Sequence, residues 1–217
     1  MPDRRKTGRM RPLLWSPRRL WSCLRLRHAQ LCVALLFVAL LAPVRCLATT
    51  ADLDGVELPQ IARADGKILH LNGIGLRTYS ILGIHIYVAA LYLEHPSTDA
   101  EAIMRSPETK LLEIRFVRDI GADTARRAWR TGLENNCRTP CQLDPDDVAH
   151  FLALIPGMHK GERYSILFTG LGATVSADGT VLGTIAKPQF AAAMLATFLG
   201  PAPASPRLKA ELLQGRD

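Results

Sequence analysis

Hydrophobic and polar positions along this chain change period several times, and each change marks an element. Val56, Leu58 and Ile61 suggest a weak strand over Gly55–Ala62, which Pro59 confines to a sheet edge. Asp65-Gly66 is a turn signal, and Lys67–Leu71 resumes as a second strand. Gly73 and Gly75 predict a bend or bulge. Ile84–Leu93 is apolar at nearly every position, the pattern of a strand buried on both faces. After Pro96, Thr98 and Glu101 have capping-box spacing for a short helix through Met104. Leu112, Ile114 and Phe116 alternate within a strand over Lys110–Val117.

The period then lengthens. Ala125, Ala128, Trp129 and Leu133 recur at helical spacing within Asp123–Asn135, whose other side carries Arg126, Arg127 and Arg130 and reads as a solvated face. Asp144 caps a helix with Pro145 at its first position and Val148, Phe151, Leu152 and Ile155 inward, stopped by Pro156-Gly157. Tyr164, Ile166 and Phe168 alternate again, and Asp178-Gly179 turns a hairpin joining Thr174–Ser176 to Thr180–Ile185. Pro188 starts a helix with Phe190, Met194, Leu195 and Phe198 inward, and Ser205-Pro206 opens a last short one carrying Leu208 and Leu212. Strands first, helices in the middle, a hairpin and closing helices describe an α+β domain, an antiparallel β-sheet covered on one face by a layer of helices.

Charge changes this picture at the N-terminus. The formal charge is +7, with 27 basic and 20 acidic residues. Residues 1–48 hold ten of the basic groups and one acid, Asp3, so the remainder carries 17 against 19. A basic groove for nucleic acid is therefore excluded. Basic residues up to His28, the apolar run Ala29–Val44 and small residues after it are the build of an export signal over 1–48, cleaved after Ala48. The long basic region leaves Met10 as an alternative start to Met1, and an uncleaved inner-membrane anchor is the alternative to removal. The expected location is the periplasm, with one domain over 52–215 whose only membrane contact is the leader. Cys137 and Cys141 are the only cysteines of that domain, and in an oxidising compartment their local spacing suits a disulfide. Metal-ligand spacing with His150 or His159 is absent.

Candidate chemistry centres on Arg77, the only arginine or lysine between Leu71 and Glu94. An arginine leading into an apolar strand must lie at the sheet edge, pair with an acid such as Glu113 or Asp119, or face a polar pocket. Tyr79 shares its strand parity and supplies a phenol beside the guanidinium, a pair suited to a carboxylate or phenolate. Tyr87, Tyr92 and Tyr164 read as core residues whose hydroxyls need partners, and His85 as a satisfied core histidine. Gly73-x-Gly75 is no dinucleotide fingerprint, because Thr78 stands where the third glycine belongs and no helix follows; no cofactor is implied.

The segment GIGLR…YVAALYLE resembles the glycine-x-glycine-x-arginine strand of the chalcone isomerase fold. FVRDI…ARRAWRTGLENN is similar to a helix lead-in of bacterial chalcone isomerase-like exported proteins. KGERYSILF, Gly170-Leu171-Gly172, the Asp178-Gly179 hairpin and the Pro188 helix with FLGP extend the resemblance over residues 55–213. It implies an open-faced sandwich and one of two activities. Chalcone isomerases close a flavanone ring with an arginine assisted by threonine and tyrosine hydroxyls. Fatty-acid-binding relatives use the arginine and a tyrosine to hold a carboxylate above an apolar cavity. Arg77 matches the arginine, while the threonine position falls on Val88 and the tyrosine position near Thr124. With those hydroxyls missing, the expectation is a binder of a small amphipathic ligand, a fatty acid or phenolic, in a cavity around Trp129 and Phe151. An isomerase acting on a phenolic or enone substrate is the alternative, and an interaction module with a filled cavity is a third.

Overall fold

The computed structural model describes residues 50–79, 82–137 and 141–215. The leader expected over 1–48, its cleavage site and the choice of start lie outside them. Strands β1 (Thr50–Leu53) and β2 (Val56–Pro59) form a two-stranded hairpin. A seven-stranded antiparallel sheet follows in chain order: β3 (Ile61–Ala64), β4 (Lys67–Tyr79), β5 (Ile84–Leu93), β6 (Lys110–Phe116), β7 (Arg163–Thr169), β8 (Gly172–Ala177) and β9 (Thr180–Ile185). Helix α1 (Ala100–Arg105) joins β5 to β6, and α2 (Ala122–Asn136) and α3 (Pro145–Ala153) lie between β6 and β7. Helices α4 (Pro188–Leu199) and α5 (Pro206–Leu212) close the chain. The α+β architecture is the expected one, an antiparallel sheet with helices.

Its turns follow from dipeptides. Asp54-Gly55, Asp65-Gly66 and Asp178-Gly179 all have positive φ at both residues, the backbone of the tight hairpin turn that Asp-Gly favours.

The sheet separates two cores. On the helix side Ala89, Leu91, Leu112, Ile114 and Ile166 pack with Leu133, Phe151 and nearly all of α4. On the other side Leu69, Leu71, Ile74, Leu76, Val88, Ala90 and Tyr92 pack with Ala51 and Leu58 of the small hairpin. The expected strand over Gly55–Ala62 is thus divided at Gln60: β2 leaves the main sheet to cover its outer face, and only β3 forms the edge. Pro59 does not interrupt a strand but ends one, and its carbonyl accepts the Tyr92 hydroxyl at 3.0 Å.

A bulge in β4 decides which face Arg77 occupies. Leu71 pairs with Tyr92 but Gly73 pairs with Leu91, so Asn72 is the extra residue. Before the bulge the odd positions Leu69 and Leu71 face the small hairpin; after it the even positions Ile74 and Leu76 do. Gly73, Gly75 and Arg77 are thereby turned to the helix side. Asn72 is fully buried and fully used: Nδ2 donates to the Ser97 and Leu212 carbonyls (3.0 and 2.8 Å), and Oδ1 accepts from Ser97 N (2.7 Å). Helix α5 lies directly on the two glycines, where a Cβ would collide with the Glu211 backbone at Gly73 and with Leu208 at Gly75.

Three further expectations change. The cap of α1 is Asp99, which accepts from Glu101 N and Ala102 N, so Thr98 is one residue too early. His85 is exposed and its Nδ1 lies 3.0 Å from Asp54, so it is no core histidine. Arg126 is not merely solvated: its Nε donates to the Ile155 carbonyl at 3.0 Å and ties α2 to the segment after α3. Cys137, the C-cap of α2, is joined to Cys141 by a disulfide with Cα atoms 5.0 Å apart.

Candidate functional site

Between the helix face of the sheet and helices α2 and α4 lies a cavity of about 410 Å³ with largely apolar walls. Ligand pockets occupy roughly 300–1,000 Å³. The strand register arranges its sheet wall in three rows, about 7 Å apart along the strands. Tyr79, its partner Ile84 and, from beyond β6, Arg118 form the rim. Arg77, Tyr87 and Phe116 stand side by side in the second row. Ile114 and Tyr164, paired across β6 and β7, form the innermost row. Exposure follows this order: Tyr79 is 64% exposed, Phe116 8% and Tyr164 1%. The opposite wall is Ala125, Ala128, Trp129 and Gly132 of α2 with Thr197 and Phe198 of α4. Ile120 and Met158, which exchange backbone hydrogen bonds at 2.8 Å, close one side. Phe151 is not in the wall. It is fully buried behind Trp129, edge-on with ring centroids 5.0 Å apart.

Arg77 is half-buried, and the acids considered for it are engaged elsewhere. Glu113 faces the other side of β6, where its Oε1 accepts from Arg115 Nε at 3.0 Å. Asp119 accepts from Lys160 N at 2.8 Å and lies 3.7 Å from His159 Nδ1. Among the described residues the hydrogen bond of Arg77 is from Nη1 to the Thr78 carbonyl, at 2.7 Å. The remaining guanidinium donors have no carboxylate among the described residues. Arg118, exposed at the rim, has no hydrogen bond or ion pair among the described residues; it follows the strand's last apolar position, where no local pattern marks it as part of a site.

The hydroxyls also differ from expectation. Val88 lies in the outer core, so the β5 side chain that meets the cavity beside Arg77 is its neighbour Tyr87. Burial pushes the Tyr87 phenol up to about 12, opposed by the nearby Arg77 charge, so it stays neutral and able to donate at neutral pH. Thr124 does line the cavity, where its Oγ1 accepts from Arg127, and Thr197 Oγ1 donates to the Met194 carbonyl at 2.7 Å. Tyr79 lines the rim two residues from Arg77, which leaves Tyr87 the deeper phenol.

The Chalcone isomerase-like family model matches residues 50–214. No curated protein matches the chain. Among solved structures, a fatty-acid binding protein of Arabidopsis thaliana superposes with a TM-score of 0.64 at 16% identity, covering 76% of this chain and 96% of its own. At that identity the likeness establishes the fold.

Proposed function

The chain belongs to the chalcone isomerase-like family, and on that footing we propose that it binds an amphipathic carboxylate, a fatty acid or a close analogue. The observation that carries this reading is a half-buried guanidinium, without a carboxylate partner among the described residues, at a cavity with largely apolar walls. Arg77 holds the carboxylate through charge-assisted hydrogen bonds, Tyr87 adds a neutral phenol, and Tyr79 flanks the mouth. The acyl chain lies against Ile114, Ala128, Trp129 and Phe198. The fatty-acid-binding activity named for the Arabidopsis structure supports the same ligand class.

Native mass spectrometry before and after delipidation tests the reading: an acyl adduct is expected on the wild type and absent from Arg77→Met. Absence of any adduct, with no uptake of added fatty acid, would remove it. The second reading is ring closure on a chalcone-like substrate, favoured by the hydroxyls of Tyr87 and Thr124 beside the cavity. Bleaching of chalcone absorbance by the purified protein would establish it. We further place the domain outside the inner membrane, on the strength of the leader over 1–48 and the Cys137–Cys141 disulfide. An intact mass beginning at Thr49 is the expected sign.

A further inference from the structure

Tyr164 is 1% exposed and lines the innermost row of the cavity, and its hydroxyl is the buried side-chain polar atom without a hydrogen-bond partner among the described residues. The contrast with the other fully buried tyrosine is direct, since the Tyr92 hydroxyl donates to the Pro59 carbonyl. Buried hydroxyls are nearly always satisfied, and one left without a partner costs about 1–3 kcal/mol. Phenylalanine would fill the same space without that cost, as Phe116 and Phe168 do nearby. Burial holds the Tyr164 phenol well above its ordinary range, so it offers a proton to an acceptor and does not ionise.

We propose that Tyr164 selects a guest with an oxygen acceptor on its chain, a hydroxy- or oxo-acyl carboxylate, over the plain saturated acid. This rests on the acyl-carboxylate reading of the cavity. Arg77 and Tyr164 lie three strands apart and one row apart in depth, about 14 Å across the sheet. With the carboxylate at Arg77, the chain crosses beneath Tyr87 and Phe116 before an oxygen part-way along it comes level with the phenol. Head and chain are then read by separate groups. A plain chain occupies the same volume but leaves the phenol unpaired, so discrimination comes from the orphaned hydroxyl rather than from shape.

The test is competition binding of stearate against a positional series of hydroxystearates and ketostearates, on wild type and Tyr164→Phe. At least one position is expected to bind the wild type about tenfold more tightly than stearate, the worth of one good hydrogen bond. Tyr164→Phe is expected to reduce that preference to within about twofold, leave stearate affinity unchanged and raise the melting temperature of the ligand-free protein. Equal affinity of the wild type for stearate and every oxygenated chain would overturn the inference while leaving the acyl reading intact. So would a preference that survives Tyr164→Phe, or a lowered melting temperature showing that the hydroxyl has a structural partner such as bound water. Failure of every acyl chain, stearate included, would overturn the acyl reading and this inference together.

Discussion

At the open end of the β4–β5 ribbon the protein answers its own polar groups. Asn72 closes three hydrogen bonds, and Glu94 accepts from Thr109 N at 2.7 Å and lies 3.4 Å from Lys67. Toward the hairpin tip of the same ribbon, Arg77 and Tyr87 face a cavity, with Arg118 and the unpaired Tyr164 hydroxyl around them. Both ends bring polar side chains against apolar strands. At one end the partners belong to the chain and fix the strand's register and face; at the other, among the described residues, Arg77 has a single backbone acceptor and no carboxylate, and the Tyr164 hydroxyl has no partner. A site for a guest differs from a structural network in this respect, and the two ends should respond differently to substitution.

The largest effect is expected at the satisfied end. Asn72→Leu leaves Ser97 N and two carbonyls without their partner and removes the side chain that anchors the bulge. A loss of about 3 kcal/mol is expected, read as a lower urea midpoint at unchanged slope. Arg77→Met should invert that pattern. Its stability should stay within about 0.5 kcal/mol of wild type, because no ion pair among the described residues is broken, while affinity for a fatty acid falls by about 2–3 kcal/mol. Comparable stability losses in the two variants would mean that Arg77 is structural and would erase the contrast.

The same division explains what the sequence discloses. Helix α4 and the β8–β9 hairpin are legible because each rests on a local rule, an apolar helical period after Pro188 and an Asp-Gly turn. Arg77 is legible because a lone cation in an apolar run demands an explanation. The face it occupies is only half legible: Gly73 and Gly75 announce the bulge, but not that Asn72 is its extra residue, and that one residue reverses the parity of everything after it. A one-residue displacement likewise separates Val88 in the outer core from Tyr87 at the cavity. Arg118 and Tyr164 reach the site only through the pairing of β5, β6 and β7, a long-range property that no local pattern encodes. The small outer hairpin is obscured for another reason: β1 begins at Thr50, among the small residues that read as the end of an export signal.

A milder break of the satisfied end is Glu94→Gln. The hydrogen bond from Thr109 N, with help from Lys67, holds the Glu94 carboxyl below its ordinary range. A group depressed in the folded state stabilises the fold above its unfolded value and loses that contribution as pH falls through the folded one. The variant should therefore melt below wild type at neutral pH, by less than Asn72→Leu does, and the two melting curves should converge in acid. Ligand affinity should not change, because Glu94 lies at the far end of the ribbon from Arg77. A gap that persists unchanged into acid would show that the side chain acts through packing and not through its charge.

The smallest effect, and the one that sharpens the cavity end most, is at Arg118. Its guanidinium stands at the rim in solvent, one row outside Arg77, and carries no internal partner among the described residues. An exposed charge at a mouth attracts an anion during approach more than it holds it afterwards. Arg118→Gln should slow association of a fatty acid about two- to fivefold at low salt and leave dissociation nearly unchanged. The difference should fade toward 1 M salt, where the screening length shrinks to about 3 Å. Arg77→Met, by contrast, should speed dissociation and keep most of its effect in salt, because its charge is partly shielded from solvent. Stopped-flow measurement of both rates across ionic strength separates the two arginines. An Arg118 variant that raises dissociation as strongly as Arg77→Met would make the rim residue a second clamp, and the anion would then be shared between both rows.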